Sequence, residues 1–277
     1  MLERRGIKEK LFAIFECVFV ALVYSFTYIP LLIIVYQSFN AGANSIVPLH
    51  WGGFTLDNFV SLFTNKALYT SILDSLLVSF WATGISTVFG VFTCFGIISL
   101  KKKLRKTIDF LNEIPMLSSE IVTGISLMVV FSLVKPLFPR VFGFPSMLIA
   151  HIFFTLPYVI MMVLPKLEQT DDSLYEAARD LGCPPMKALF KVVVPSLTTA
   201  ILMGALVAFT LSVDDFVISF YTQGNGFSNF SNYVYSSYTK KNFSAGAYAF
   251  DALLTFLTLG IVLVASRKSL RRKEARK

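Results

Sequence analysis

The sequence predicts an all-α membrane protein with six transmembrane helices, on three observations. Of its 277 residues, 55% are hydrophobic and only 15% are charged, whereas soluble domains carry roughly 25% charged residues. Six mostly apolar stretches approach or exceed the about 20 residues that cross the hydrocarbon of a bilayer. In lipid such stretches become helices, which satisfy their own backbone hydrogen bonds. The stretches are Phe12–Phe39, Tyr69–Leu100, Ile114–Val134, Met147–Leu164, Ser196–Tyr221 and Ala245–Ser266.

These stretches leave little chain for a separate soluble domain, so the domain organisation follows directly. Residues 12–266 form one transmembrane domain, preceded by a short N-terminal segment, 1–11. A polar loop, 166–195, separates the fourth and fifth spans, and a basic tail, 267–277, ends the chain.

The distribution of basic residues predicts the orientation. All but five of the 25 Lys and Arg residues lie in the two terminal segments or in the loops after the second and fourth spans. Because basic residues gather on the cytoplasmic side, both termini and the loop 166–195 are expected to be cytoplasmic. The net charge of +8 therefore reflects topology and contact with lipid headgroups, not nucleic-acid binding. The five exceptions are Lys66, Lys135, Arg140, Lys240 and Lys241.

Several chemistries lack their sequence signatures in this chain. No GxxxxGK[ST] motif offers a cradle for ATP phosphates, and no GxSxG or HExxH motif predicts a hydrolase. Cys17, Cys94 and Cys183 contain no CxxC pair, and His50 and His151 have no ligand spacing around them. We therefore expect no catalytic residue, no metal site and no cofactor in this chain.

The cytoplasmic loop contains a compact helix-forming segment. Ser173 follows two aspartates, which place negative charge at the start of a helix. Gly182 is a plausible C-terminal stop, and the prolines after it favour a second short helix. The loop is therefore predicted to be a rigid helix–turn–helix knob. A narrower interpretation is that Glu176 only completes a capping box with Ser173. The segment reads Glu176, Ala177, Ala178, Arg179, Asp180, Leu181, Gly182, and Pro195 closes the loop.

Ionisable residues within spans are costly and are candidates for function. Asp214 and Asp215 lie in the outer half of the fifth span. Adjacent residues of a helix point about 100° apart, so only one of the two is expected to face a given cavity. Alternatively, they contact a neighbouring helix or sit at an aqueous mouth. Glu120, early in the third span, either caps that helix or faces a central cavity.

Two further residues are candidates for the substrate pathway. Asp251 lies in the sixth span, where an ionisable residue is costly. Trp51 lies in an outer loop, where it is either an interfacial anchor or a π-face for a cation.

The loop spacing resembles the cytoplasmic coupling loop of binding-protein-dependent ABC importer permeases. Val192 and Val194 stand where that family usually has Ile and Leu. Segments at 28–30, 37–40, 51–55, 119–127 and 209–215 look like the C-type permease subunits of spermidine/putrescine importers. The resemblance runs from about residue 24 to 267. Glu120 replaces an expected Asp, and Asp251 an uncharged residue, which leaves the preferred substrate open.

This resemblance implies a type I ABC importer permease fold with six helices, in a bacterial plasma membrane. The implied partners are a second homologous permease, a dimeric ATPase that binds ATP and Mg, an extracytoplasmic polyamine-binding protein and membrane lipid. The implied ATPase-coupling residues are Glu176, Ala177, Ala178, Asp180, Gly182 and Pro195. The candidate substrate-pathway residues are Glu120, Ser212, Asp214 and Asp215, with Trp51 and Asp251.

Three rival functions remain open at this stage. The first is an importer permease for iron, thiamine or an amino-acid-like solute. The second is a secondary transporter driven by ions through the aspartates of the spans. The third is a membrane enzyme, which no catalytic constellation supports.

Overall fold

A computed structural model describes residues 7–44, 50–171, 173–224, 226–240 and 244–274. Those residues form helices joined by short turns, and no β-strand occurs among them. One π-helical turn, Leu189–Val193, lies between α8 and α9. The α-helices are α1 (Ile7–Ser38), α2 (Asp57–Thr64), α3 (Lys66–Ile98), α4 (Lys102–Leu117), α5 (Glu120–Val134), α6 (Phe144–Glu168), α7 (Ser173–Asp180), α8 (Pro185–Ala188), α9 (Val194–Ser196), α10 (Thr198–Asp214), α11 (Val217–Thr222), α12 (Phe230–Thr239) and α13 (Gly246–Glu274).

The number and length of the apolar helices are those of a multi-pass membrane protein. Within the described ranges, three helical segments are long and apolar enough to cross a bilayer: Ile14–Ser38, Lys66–Ile98 and Phe144–Glu168. Two bent pairs bring the number to as many as five: α4 with α5, at 99°, and Pro185–Ser196 with α10, at 72°. A shorter apolar helix, Gly246–Gly260, lies within α13. The all-helical class is confirmed, whereas the count of six uninterrupted spans is not reproduced.

Two of the predicted spans are broken helices. The predicted third span, Ile114–Val134, crosses the sharp bend between α4 and α5. Ser118 and Ser119 are extended there, with ψ of 144° and 133°. The predicted fifth span, Ser196–Tyr221, contains α10, which ends at Asp214, and α11, which begins at Val217. In both cases a pair of polar residues ends a helix. A prediction based only on the length of the apolar stretch does not detect such a pair.

The chain divides into two compact units. The first unit comprises Met1–Tyr69 and Ser237–Lys277. Its polar centre is the fully buried Asn40, whose Oδ1 accepts hydrogen bonds from Gly42 N at 2.9 Å and Gly52 N at 2.8 Å. Asn40 Nδ2 donates to the carbonyl oxygen of His50 at 2.7 Å. These bonds fold the segment after α1 against the loop that carries Trp51.

The second unit, Thr70–Ser236, is built around α6. Its core contains Cys94, Val163 and Leu197, all fully buried, together with Val159 of α6. Gly90 of α3 and Gly204 of α10 both lie against Val159. A Cβ on Gly90 would stand 2.7 Å from Val159 Cγ1, and one on Gly204 would stand 3.4 Å from Val159 Cα. The missing side chains let two helices approach α6 closely, as small residues do in membrane helix packing.

Candidate functional site

A cavity of about 320 Å³ opens at the break between α10 and α11. The end of α4, the start of α5, the middle of α6 and the broken fifth span surround it. Glu120 and Asp214 both border the cavity, and both are exposed. Phe154, Tyr158 and Phe216 provide aromatic walls. Two carboxylates that lie on different spans and are 94 residues apart in the chain therefore share one cavity.

The two adjacent aspartates at the break have different surroundings. Asp214 is the last residue of α10 and is exposed at the cavity. Asp215 also borders the cavity, but it is extended (φ −62°, ψ 128°) and only 9% exposed. Its carboxylate accepts hydrogen bonds from Ser219 N at 2.7 Å and from Ile218 N at 3.3 Å. The expectation that the pair sits in one continuous helix is wrong. Asp215 lies outside α10, and its carboxylate caps the first turn of α11.

A buried polar network joins α3 and α6 to the two segments of the broken fifth span. His151 of α6 is 1% exposed, and its Nδ1 is 2.6 Å from Ser212 Oγ. Its Nε2 is 2.9 Å from Ser219 Oγ. Ser212 Oγ in turn donates to Ser79 Oγ at 2.9 Å. Sequence reasoning considered His151 only as a metal ligand and missed this role. The sequence did contain a signal for it, since His151 lies inside an apolar span. A polar side chain there needs hydrogen-bonding partners from other helices.

The remaining pathway candidates lie elsewhere. Ser212 is buried in the polar network and bonded to His151. Trp51 is 48% exposed in the first unit, with its ring 5.0 Å from that of Tyr36. Asp251 is half-buried in α13, also in the first unit, where its carbonyl oxygen accepts the Thr255 hydroxyl at 2.9 Å. The structure therefore brings Glu120, Asp214 and Asp215 together at one cavity and keeps Trp51 and Asp251 in the other unit.

The loop between the fourth and fifth spans forms the predicted knob from α7 and the short helices after it. Gly182 has φ of +78°. Its N–H donates to the carbonyl oxygen of Arg179 at 2.9 Å, and Cys183 N donates to that of Ala178 at 3.1 Å. These two bonds define a Schellman motif, which satisfies the last carbonyls of α7. The predicted glycine stop is confirmed.

The start of α7 is capped from outside the helix. Ser173 N donates to Asp171 Oδ1 at 2.9 Å. This backbone hydrogen bond, with a second from the Ser173 side chain, lowers the pKa of Asp171 below its ordinary value. Of the predicted coupling residues, Ala178 is half-buried and five are exposed: Glu176, Ala177, Asp180, Gly182 and Pro195.

Apolar side chains on the knob also face outward. Leu181 is 89% exposed, Met186 59% and Leu174 45%. An ion pair between Arg105 of α4 and Glu168 joins α4 to the end of α6, just before the knob. The knob is therefore an ordered element that presents both charged and apolar side chains.

Known proteins resemble this chain along most of its length. Residues 86–276 match the family described as binding-protein-dependent transport system inner membrane component. The spermidine/putrescine transport system permease protein PotC of Haemophilus influenzae is 30% identical over 247 residues, which cover 89% of this chain and 93% of that protein. PotC of Escherichia coli K12 is also 30% identical, over 89% of this chain and 90% of its own. The putrescine transport system permease protein PotI of the same strain is 29% identical, over 79% and 78%.

Solved structures share the fold at low sequence identity. A bacterial ABC transporter that imports the acidic polysaccharide alginate aligns with a TM-score of 0.68 and 15% identity, over 96% of this chain and 99% of that chain. An amino acid ABC transporter aligns with a TM-score of 0.53 and 19% identity, over 77% and 98%. Both confirm the ABC importer permease fold expected from the sequence. On the family match and the PotC relatives together, this chain belongs to the inner membrane components of binding-protein-dependent transport systems.

Proposed function

We propose that this chain is a membrane subunit of an ATP-driven polyamine importer, and that substrate passes through the cavity at the break in the fifth span. The observation that carries the proposal is the pair of exposed carboxylates, Glu120 and Asp214, on one cavity of about 320 Å³. Ionisable groups within transmembrane segments are rare because of their cost in lipid, and they mark substrate pathways.

The lining of the cavity suits a linear polycation. An ammonium group that leaves water needs a charged or hydrogen-bonding partner, because burial without one is costly. The two carboxylates supply charge, and Tyr158, Phe154 and Phe216 offer aromatic faces that attract cations. The related permeases carry spermidine and putrescine in their names, which agrees with this chemistry. Trp51 and Asp251 stay predictions for other parts of the pathway.

The exposed knob of α7 and α8 is the proposed contact with an ATPase. In this proposal ATP and Mg bind to the partner ATPase dimer, whose closure is transmitted through Glu176, Ala177 and the residues around them. The ordered turn at Gly182 supports this role, since a rigid element transmits a displacement that a loose loop would absorb. A second permease, an extracytoplasmic polyamine-binding protein and surrounding lipid complete the assembly, with both termini in the cytoplasm.

The test measures uptake of radiolabelled spermidine and putrescine into proteoliposomes that contain the whole complex. Glu120→Gln and Asp214→Asn keep size and most hydrogen bonding but remove the charge. We expect the double variant to lose about tenfold or more in uptake at low substrate concentration, because each charged pair contributes about 1 kcal/mol or more in a partly dehydrated site. Uptake is normalised to assembled complex.

Glu113→Gln is the matched control, because Glu113 is an exposed glutamate of α4 away from the cavity lining. It should leave uptake unchanged. Normal polyamine uptake by the double variant would contradict the proposal. ATP-dependent uptake of iron, thiamine or an amino acid without any response to polyamines would support the rival importer function instead.

A further inference from the structure

His151 contacts both sides of the break in the fifth span. Its Nδ1 lies 2.6 Å from the hydroxyl of Ser212, in the last turn of α10. Its Nε2 lies 2.9 Å from the hydroxyl of Ser219, in the first turn of α11. The same Nε2 is 3.7 Å from Asp215 Oδ2, beyond ordinary hydrogen-bond range. One buried ring on α6 therefore contacts two helical segments that Asp215 and Phe216 separate.

A neutral imidazole with its proton on Nδ1 satisfies every hydrogen bond in this network. The Ser212 hydroxyl donates to Ser79 Oγ, so the Ser212 oxygen is free to accept from Nδ1–H. Nε2 then accepts the hydroxyl proton of Ser219. The Ser219 backbone N–H is held separately, by Asp215 Oδ2 at 2.7 Å. Fully satisfied buried networks of this kind rigidify the elements that they join.

The two bonds of His151 fit a broken chain better than a straight helix. Two hydrogen bonds and the ring between them reach roughly 8 Å. A straight helix separates residues seven positions apart, such as Ser212 and Ser219, by about 10.5 Å along its axis. The chain meets both nitrogens because it leaves the helix after Asp214, and Asp215 then starts α11 in a new direction.

We propose that His151 is the positioning residue that fixes the break in the fifth span and thereby holds the Asp214 carboxylate at the cavity. Asp214 is the last helical residue before the break, so the place where α10 ends decides where its side chain points. The role of Asp214 in transport rests on the proposed function, but its place at the cavity does not.

The test measures the position of residue 214 without measuring transport. The assembled complex is prepared with Cys17, Cys94 and Cys183 replaced by alanine, and either Asp214→Cys or Glu120→Cys is introduced. Each new thiol is titrated with a cationic methanethiosulfonate reagent. Glu120 borders the same cavity but is carried by α5 of the third span and not by the broken fifth span, so the labelling rate of its thiol reports general loosening of the protein around the cavity.

We expect His151→Ala to change the labelling rate of the Asp214→Cys thiol by about fivefold or more, since loss of a buried hydrogen-bonding partner is worth at least that ratio. The Glu120→Cys thiol should change by less than about twofold, because Glu120 lies in the first turn of α5, whereas α5 meets α11 further along, where Gly124 faces Ile218 and Tyr221. Ser219→Ala removes only the bond beyond the break and should give a smaller change of the same kind. This milder variant keeps the test decisive if His151→Ala does not assemble.

Ser86→Ala is the matched control. It removes a buried serine bond of 2.8 Å to Thr155, one turn along α6 from His151, without touching the break. It should leave both labelling rates unchanged. Equal changes at both thiols, or none in Ser219→Ala and His151→Ala, would overturn the proposal. If labelling follows the prediction but the double variant Glu120→Gln, Asp214→Asn imports polyamine normally, the proposed function fails and the positioning role of His151 stands.

Discussion

Two helices of the second unit end in different ways. Helix α7 ends at Asp180, and the exposed Gly182 that follows allows backbone hydrogen bonds spanning three to five residues to close it. Helix α10 ends at Asp214, and the Ser212 hydroxyl in its last turn is hydrogen-bonded to buried side chains of α3 and α6. In water an exposed helix end has solvent and local backbone as partners, whereas a helix that ends within a membrane must find its partners on neighbouring helices.

This difference explains why the end of α7 can be predicted from the sequence and the end of α10 cannot. A Gly followed by two prolines is a local signal, and the α7 stop needs little else. The break after Asp214 depends on Ser79 and His151, which are far away in the chain. Apolar length conceals such a break, so the fifth span was predicted as one helix.

The largest expected effect concerns the side of the membrane on which the knob lies. In a cysteine-free background, Leu181→Cys should react with an impermeant thiol reagent only from the cytoplasm, and Leu137→Cys only from outside. Both side chains are more than three-quarters exposed. Ala188 and Asn229 are buried, so they are poor labelling sites. Labelling of Leu181→Cys from outside in intact cells would reverse the orientation and remove the knob from any cytoplasmic ATPase.

The next largest effect is on stability and concerns Asp215, at the buried break between α10 and α11. Asp215→Ala leaves the N–H groups of Ile218 and Ser219 without their acceptor. We expect the free energy of unfolding in detergent to fall by about 2 kcal/mol or more, because each unpaired buried group costs about 1–3 kcal/mol. Asp214→Asn, at the neighbouring exposed position, should leave stability unchanged. Denaturant titration of the two variants checks the contrast, and equal losses would show that the aspartates are equivalent.

The exposed end should tolerate change with less cost to stability. Gly182→Val places a β-branched residue at φ of +78°, which costs about 1–2 kcal/mol locally. We expect the protein to insert and assemble, while ATPase stimulation and uptake fall because the turn of the knob is distorted. Gly182→Asn is the matched control, since Asn tolerates this conformation better. Full ATP-driven uptake by a well-assembled Gly182→Val variant would exclude a coupling role for the turn.

The smallest effect concerns the start of α7. Asp171→Ala removes the acceptor for Ser173 N–H, so the first turn should fray while the rest of the protein stays folded. Because the hydrogen bond lowers the pKa of Asp171, its stabilisation is present above the ordinary Asp pKa and disappears as pH falls through the lower folded value. Hydrogen exchange at the amides of Ser173 and Leu174 measures the fraying. Unchanged exchange in the variant would show that another group caps α7.

The sequence predicted the helical class, the helix–turn–helix knob and the family, because each depends on composition or on short-range spacing. It also singled out Glu120 and Asp214, since a carboxylate in an apolar span is conspicuous. It did not predict that these two share a cavity, nor that Asp215 faces inward to cap α11. The shared cavity depends on contacts between α5, α6 and α10, which no local pattern encodes. The bonds of Asp215 to the N–H groups of Ile218 and Ser219 are local, but the apolar length of the fifth span concealed this helix start. The 99° bend at Ser118 and Ser119 was missed for the same reason as the break at Asp214.

The close packing around Val159 has a consequence for how this unit deforms. Gly90 on one side and Gly204 on the other let two neighbouring helices come into close contact with α6 at Val159. Close packing of this kind leaves little room for a sliding displacement, so the helices are expected to keep their register under load. A displacement of the knob would then move α6 and α10 together as one rigid body. We expect the deformation to concentrate where the helices are already interrupted, at the bend before α5 and at the break beside Asp214.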